Sequence, residues 1–184
     1  AQEEKTSSTQ EILLIGDTGY SPAYGKSIGL QALQQYVRQN DTKDVHLVFL
    51  GDNIYPKGMP DKNDERRADA ERRIDNQIDI VKEFQGKVTF IPGNHDYYGG
   101  GLPAVKRQEE YIDDHYDQKD KWLPEPGCAL DGKDIGDNVY LITVDTQWFL
   151  SDWDKSPMMN KGCHELQTRE EFFTEFSTEV KKNQ

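Results

Sequence analysis

At 184 residues the chain is long enough to bury one core, so its size predicts one domain or a large piece of one. Its 34 acidic against 22 basic side chains give a net charge of −12, which repels polyanions and argues against non-specific nucleic-acid binding. The longest apolar runs, such as Ile12 to Ile15 and Val48 to Leu50, fall far short of the roughly 20 residues that cross a bilayer as a helix, so no membrane span is expected.

The chain opens at Ala1 without a Met, and its first ten residues, AQEEKTSSTQ, read as a disordered polar arm of a processed protein. That start points to an exported protein, secreted, periplasmic or on a cell surface, with the folded domain over residues 11–184. Short β-branched and leucine-rich runs then alternate with stretches of helical period, which predicts an α/β architecture. Glu11 to Ile15 reads as a strand and Ser27 to Gln39 as a helix burying Leu30, Leu33 and Val37. Val45 to Leu50 is a near-continuous apolar run, as in a strand covered on both faces. Asp64 to Phe84 reads as a long helix whose Ile74, Ile78 and Val81 turn inward, with Arg66, Arg67, Arg72 and Arg73 on a solvated face of local ion pairs.

Lys87 to Ile91 supplies a third strand, ended by Pro92 and Gly93, and Leu102 to Tyr116 a further helix. Segments around Cys128 to Leu130 and Asn138 to Asp145 read as paired strands. Thr168 opens a last helix with a capping-box pattern, Thr-Arg-Glu-Glu, and places Phe172, Phe173 and Phe176 on one face. Two cysteines, Cys128 and Cys163, have no metal-ligand spacing. In an exported chain their even count favours a disulfide over the alternative of two buried thiols.

Each of the first three strands ends in a glycine-flanked polar cluster: Gly16-Asp17-Thr18-Gly19, Gly51-Asp52-Asn53-Ile54-Tyr55, and Gly93-Asn94-His95-Asp96. The carboxyl ends of neighbouring strands in an α/β sheet converge on one crevice, so clusters 35 and 42 residues apart can share a site. Two carboxylates, a phenol, an amide oxygen and an imidazole are hard oxygen and borderline nitrogen donors, suited to iron, manganese, zinc or magnesium. Asp52 is the natural bridge, since one carboxylate can span two cations held about 3.5–4 Å apart. Singly, each cluster reads as an ordinary turn, and His95 as structural. Three such clusters, each just past a hydrophobic strand, point to a metal site.

The segments GDTG, LGDNIY and GNHD resemble the first three signature blocks of the calcineurin-like metallophosphoesterases. Gly19 in place of a histidine, with Tyr55 three residues after Asp52, is similar to the purple acid phosphatases within that superfamily. The resemblance implies the N-terminal part of an α/β/β/α sandwich and a binuclear metal-dependent phosphomonoesterase in which metal-activated hydroxide attacks phosphorus. The implied cofactors are two metal ions, iron paired with iron, zinc or manganese, and a tyrosine-ligated ferric ion implies activity at acidic pH. Asp17 and Tyr55 would then ligate the first metal, Asp52 bridge, and Asn94 ligate the second. His95 would serve the leaving group and Asp96 would orient its imidazole.

Family members take further histidine ligands from later segments of the form Val-x-x-His and Gly-His-x-His, and neither occurs here. Of His46, His95, His115 and His164, only His95 lies in a signature block; the others read as structural or surface residues. The expectation is an N-terminal half whose partner, the C-terminal half of the same domain, supplies those ligands, and whose substrate is a small phosphate ester. Rival readings are a phosphodiesterase of the same superfamily and a non-catalytic binding protein on a decayed phosphatase fold. Tyr97, Tyr98 and Trp148 either wall the substrate pocket or pack beneath a loop.

Overall fold

Three parallel strands build the sheet that carries the candidate loops. The computed structural model describes residues 10–118, 121–136, 138–150, 159–161, 163, 166 and 168–184. Strands β1 (Glu11–Ile15), β2 (Val45–Phe49) and β3 (Lys87–Phe90) pair in that order, with Leu13 opposite Leu47 and Leu47 opposite Val88. All of β2 is buried, as its near-continuous apolar run predicts for a strand covered on both faces. On one face Val45, Leu47 and Phe49 join Val88 and Phe90 in the core, where the Phe49 and Phe90 rings stack 4.4 Å apart. Residues 121–123 continue the sheet beyond β3: Phe90 N donates to Lys121 O, and Leu123 N to Phe90 O.

Helix α1 (Ile28–Gln39) buries Leu30, Leu33 and Val37 in this core and is capped by the Ser27 hydroxyl, which accepts from Leu30 N. Helix α2 (Arg67–Val81) adds Ile74, Ile78 and Val81 but is shorter at both ends than its periodicity predicts. Asp64 accepts from Arg66 N, a local turn that competes with helix, and Phe84 N closes another turn onto Val81 O. A one-turn helix, α3 (Asn94–Tyr97), follows β3, and α4 (Leu102–His115) follows it with Pro103 in the first turn. Neither α3 nor the five-residue α5 (Thr146–Leu150) is long enough to show a period.

The second sheet corrects the expected strand at Cys128–Leu130. Strand β4 is Leu130–Gly136, antiparallel to β5 (Val139–Val144), so the pairing runs through Asp131, Gly132, Lys133 and Asp134. Those residues read locally as a turn, and pairing against the apolar strand β5 overrides that preference. Helix α6 (Arg169–Lys182) begins with the predicted capping box, Thr168 and Glu171 exchanging bonds. Only Phe172 of its three phenylalanines is buried; Phe173 is 60 % exposed. Cys128 and Cys163 are disulfide-bonded. Residues 1–9 of the polar arm, and His164, lie outside the described residues. Among the described residues no helix is long and apolar enough to cross a membrane.

The other face of the sheet buries a histidine. His46 Nε2 lies 2.8 Å from the Thr89 hydroxyl, and Nδ1 meets no partner among the described residues. Burial, and then the charges of Lys133 and Lys87, push its pKa down from 6.5 to about 4. Between those values the unfolded chain takes up a proton that the folded chain refuses. This contribution to stability is therefore complete above pH 6.5 and is lost as the pH falls towards 4. The shift corresponds to a loss on the order of 3 kcal/mol. Replacing His46 with Gln should flatten the stability profile across that window, as read by urea unfolding at several pH values; an unchanged slope would rule out His46 as the source.

Candidate active site

Asp17 and Asp52 share an uncommon backbone conformation. Their φ angles are 57° and 54°, in the left-handed region that Asp tolerates better than most residues. Each stands just past the end of its strand, and together they meet the hydroxyl of Tyr55, which lies 2.6 Å from Asp17 Oδ1 and 2.8 Å from Asp52 Oδ2. The second oxygen of Asp52 accepts from the backbone N–H of His95 at 2.9 Å. Asp17, Asp52 and Asn94 all line one cleft of about 570 Å3. The three sequence clusters are thus drawn to one place.

The loops can approach so closely because of what is missing at Gly19. A Cβ there would sit 2.4 Å from the Asn53 carbonyl carbon, so position 19 admits no side chain, least of all an imidazole, in this arrangement. Gly19 N donates to Asp52 O and Asp17 N to Gly51 O, which laces the first loop to the second. Helix α2 braces both from behind. The buried amide of Gln77 accepts from the Thr18 hydroxyl and donates to Asn53 O, while Arg73 donates to Gly19 O and Ser21 O. Arg73 is therefore more than a solvated surface charge, and Arg67, also buried, reaches Pro60 O and Glu71. Arg66 and Arg72 do make the expected local pairs, with Asp64 and Asp69.

Asp96 ties the third loop to the second. Its carboxylate is fully buried and accepts from Gly93 N at 2.8 Å, Ile54 N at 3.1 Å, Asn53 N at 3.2 Å and Asn53 Nδ2 at 3.3 Å. Burial pushes its pKa up to about 7, with the Asp52 charge adding to the rise and the surrounding N–H groups opposing it. Asp96 does not meet the His95 ring, the role the resemblance implies for it, because three backbone N–H groups and the Asn53 amide occupy it. Instead His95 Nδ1 is 2.8 Å from Pro56 O. A carbonyl only accepts, so Nδ1 carries a proton and Nε2 is the nitrogen left for chemistry. The ring lies 4.0 Å from that of Tyr55 and edge-on to Tyr98 at 4.9 Å, centre to centre.

Burial, then the two carboxylates bonded to it, raise the Tyr55 pKa well above that of a free phenol, so its proton is held between Asp17 and Asp52. A multivalent cation placed there would displace that proton and satisfy three converging oxygens at once. The Asn94 amide donates through Nδ2 to the Tyr98 hydroxyl at 2.8 Å, which leaves Oδ1 as its ligating atom. These four oxygen donors fit a hard cation. Among the described residues no group of three or more His, Cys, Asp or Glu side chains is arranged to hold a metal ion, and the other described histidines lie elsewhere. His46 is in the sheet, and His115 on α4 stacks on Tyr111.

Of the three aromatic residues considered for the pocket wall, only Tyr98 lines the cleft. Tyr97 is buried and donates to Asp145, whose other oxygen accepts from Gln147 N and Trp148 N at the start of α5. Trp148 is buried, with its indole N–H on Asn160 Oδ1. Asp145 is likewise buried, and burial raises its pKa to about 6.

Truncating Asp96 strands several buried N–H groups, each costing about 1–3 kcal/mol when left unpaired. Asp96→Ala should therefore lower stability in urea by more than about 3 kcal/mol, and Asp96→Asn, which keeps one accepting oxygen, by less. Equal stability of the Ala variant and the parent would show that the loops are held by something else.

A family model for the calcineurin-like phosphoesterases matches residues 11–181. No curated protein and no solved structure matches the chain. The matched span runs from β1 into the last turn of α6 and contains all three loops. This coverage, together with the convergence of the loops on one cleft, establishes that the chain belongs to the calcineurin-like phosphoesterase family.

Proposed function

We propose that the chain carries one part of the two-metal site of a phosphomonoesterase of the purple acid phosphatase type. Membership of the family implies metal-dependent hydrolysis of phosphoesters. The finer reading is carried by one observation: the phenol of Tyr55 stands within 2.6–2.8 Å of both Asp17 and Asp52, where a tyrosinate would share a cation with them. Asp17 and Tyr55 would hold the first ion, taken to be iron, Asp52 would bridge, and Asn94 Oδ1 would hold a second ion, iron, zinc or manganese. Bound there, the pair would neutralise phosphate oxygens and acidify water.

The chain's own residues account for orientation and proton handling. With Nδ1 anchored on Pro56 O and its ring against Tyr55, His95 has Nε2 as the nitrogen for a proton passed to the leaving oxygen. Asp96 acts one step back, fixing Asp52 and Asn94 relative to each other through the backbone it binds.

The remaining ligands, histidine imidazoles, are assigned to a further polypeptide segment equivalent to the C-terminal half of an α/β/β/α sandwich. Its seat would be the edge of β1, which pairs with no further strand among the described residues and where Ile12 is 43 % and Leu14 56 % exposed. The Cys128–Cys163 bridge supports an oxidising, exported location.

Titration of the chain with ferric iron should produce a visible tyrosinate-to-iron band that Tyr55→Phe abolishes. Slow hydrolysis of 4-nitrophenyl phosphate should accompany the band, because the ligand set here is partial. Manganese-dependent cleavage of bis(4-nitrophenyl) phosphate, undiminished in Tyr55→Phe, would favour the diesterase instead. A metal-loaded chain that binds phosphate and hydrolyses neither ester would favour the non-catalytic reading.

A further inference from the structure

Behind the cleft, a hydrogen bond joins two of its walls. One wall is the third loop, where α3 and the residue that ends it supply Asn94 and Tyr98. The other is the junction of β5 and α5, where Val144, Thr146 and Gln147 line the same cleft. From the first wall Tyr97 turns inward, and its hydroxyl donates to Oδ2 of Asp145, which is buried between Val144 and Thr146. A phenol and a carboxylate buried together are each costly to leave unpaired, so the walls are held at the spacing this bond sets.

Asp145 is a firm anchor. Its N–H donates to Ala129 O at 3.0 Å, next to the bridged Cys128, and its Oδ1 accepts from Gln147 N at 2.9 Å and Trp148 N at 3.2 Å. Trp148 is pinned in turn by its indole N–H on Asn160 Oδ1. Helix α3, by contrast, has a single turn, and one turn fixes more backbone than its own hydrogen bonds repay. Its position therefore depends on outside contacts. Asp96 secures the start of the turn by accepting from Gly93 N, and Tyr97 secures the end. Asn94 and Tyr97 lie three residues apart, on one side of that turn, so a tether at Tyr97 resists the rotation that would carry Asn94 off the cleft.

Resting on the two-metal reading, we propose that Tyr97 and Asp145 are positioning residues for the second metal ion, their bond holding α3 against β5 and so keeping Asn94 on the cleft it shares with Asp52. Neither residue is a ligand; both act through Asn94. Asp17, Tyr55 and Asp52, assigned to the first ion, belong to the first two loops, which Asp96, Gln77 and Arg73 brace instead. The two ion positions should therefore respond differently when the Tyr97–Asp145 bond is cut.

Iron and zinc report the two positions separately. The ferric tyrosinate band reads the first ion. Because Asp52 is shared, the shift that added zinc produces in that band reads the second. Tyr97→Phe, which removes the hydroxyl and keeps the buried ring, should leave the iron titration unchanged and weaken zinc about tenfold, the lower end of the cost of losing a group that orients a metal ligand. Asp145→Asn, whose amide can still meet the phenol, should lose less than Asp145→Ala. Adding Tyr97→Phe to Asp145→Ala should weaken zinc no further than Asp145→Ala alone, since both changes cut the same bond. Undiminished zinc affinity in Tyr97→Phe would overturn the proposal. So would an equal loss of iron and zinc, the mark of a bond that merely supports the fold. A parent chain that gives no band, or a band that zinc leaves unmoved, would instead overturn the two-metal reading, and the proposal with it.

Discussion

One buried carboxylate holds the candidate site together. Asp96 gathers N–H groups from Gly93, Asn53 and Ile54, and so joins two loops that lie 42 residues apart in sequence, measured from Asp52 to Asn94. A buried charge is costly unless it is fully hydrogen-bonded, and this one is surrounded by donors that would themselves be costly to leave unpaired. The two penalties cancel only when the loops sit in this single arrangement. Their mutual position is thereby fixed to within hydrogen-bond tolerances, which is what a site built from short oxygen ligands requires.

The rest of the constellation follows from that constraint. With the second and third loops joined, Asp52 is turned so that one oxygen meets His95 N and the other meets Tyr55. The first loop is then drawn in by backbone bonds to Gly51 and Asp52, and closed from behind by Gln77 and Arg73 of α2. The left-handed backbone at both Asp17 and Asp52 is the cost of aiming two acids at one phenol, and strained residues of this kind persist where surrounding contacts over-determine them. Between those acids stands the hydroxyl of Tyr55.

The parallel sheet was legible because its strands are short, mostly apolar runs, and the loop residues because each cluster stands where a strand must end. Asp17, Asp52, Tyr55, Asn94 and His95 could be named from their place past the strands and from the donor atoms they carry, and their roles from the family resemblance. The task of Asp96 could not, since sequence adjacency suggested the neighbouring imidazole whereas the actual partners are backbone groups reached only after folding. Gln77 and Arg73 were hidden for a related reason: on a helix rich in charge they look like solvent-facing residues. Gln77 did leave a signal, a polar amide three residues after Ile74 on the face that also carries Ile78 and Val81. β4 was obscured because Asp131, Gly132 and Asp134 favour turns locally and join a strand only when β5 is alongside.

These relations describe a centre whose oxygens are already aimed at one another. Three oxygen donors, from Asp17, Asp52 and Tyr55, converge on one point, Asn94 lines the same cleft as the two acids, and the His95 imidazole is oriented beside Tyr55. The central claim is that Asp17, Tyr55 and Asp52 share one cation, with Asn94 on a second ion beside it. Manganese titration followed by paramagnetic broadening of backbone amides tests it most directly, because broadening falls off steeply with distance from the ion. The account predicts that signals of Asp17, Asp52, Tyr55 and Asn94 vanish together at the lowest metal concentrations. Broadening that begins on the acidic helix surfaces and spares these four would contradict it.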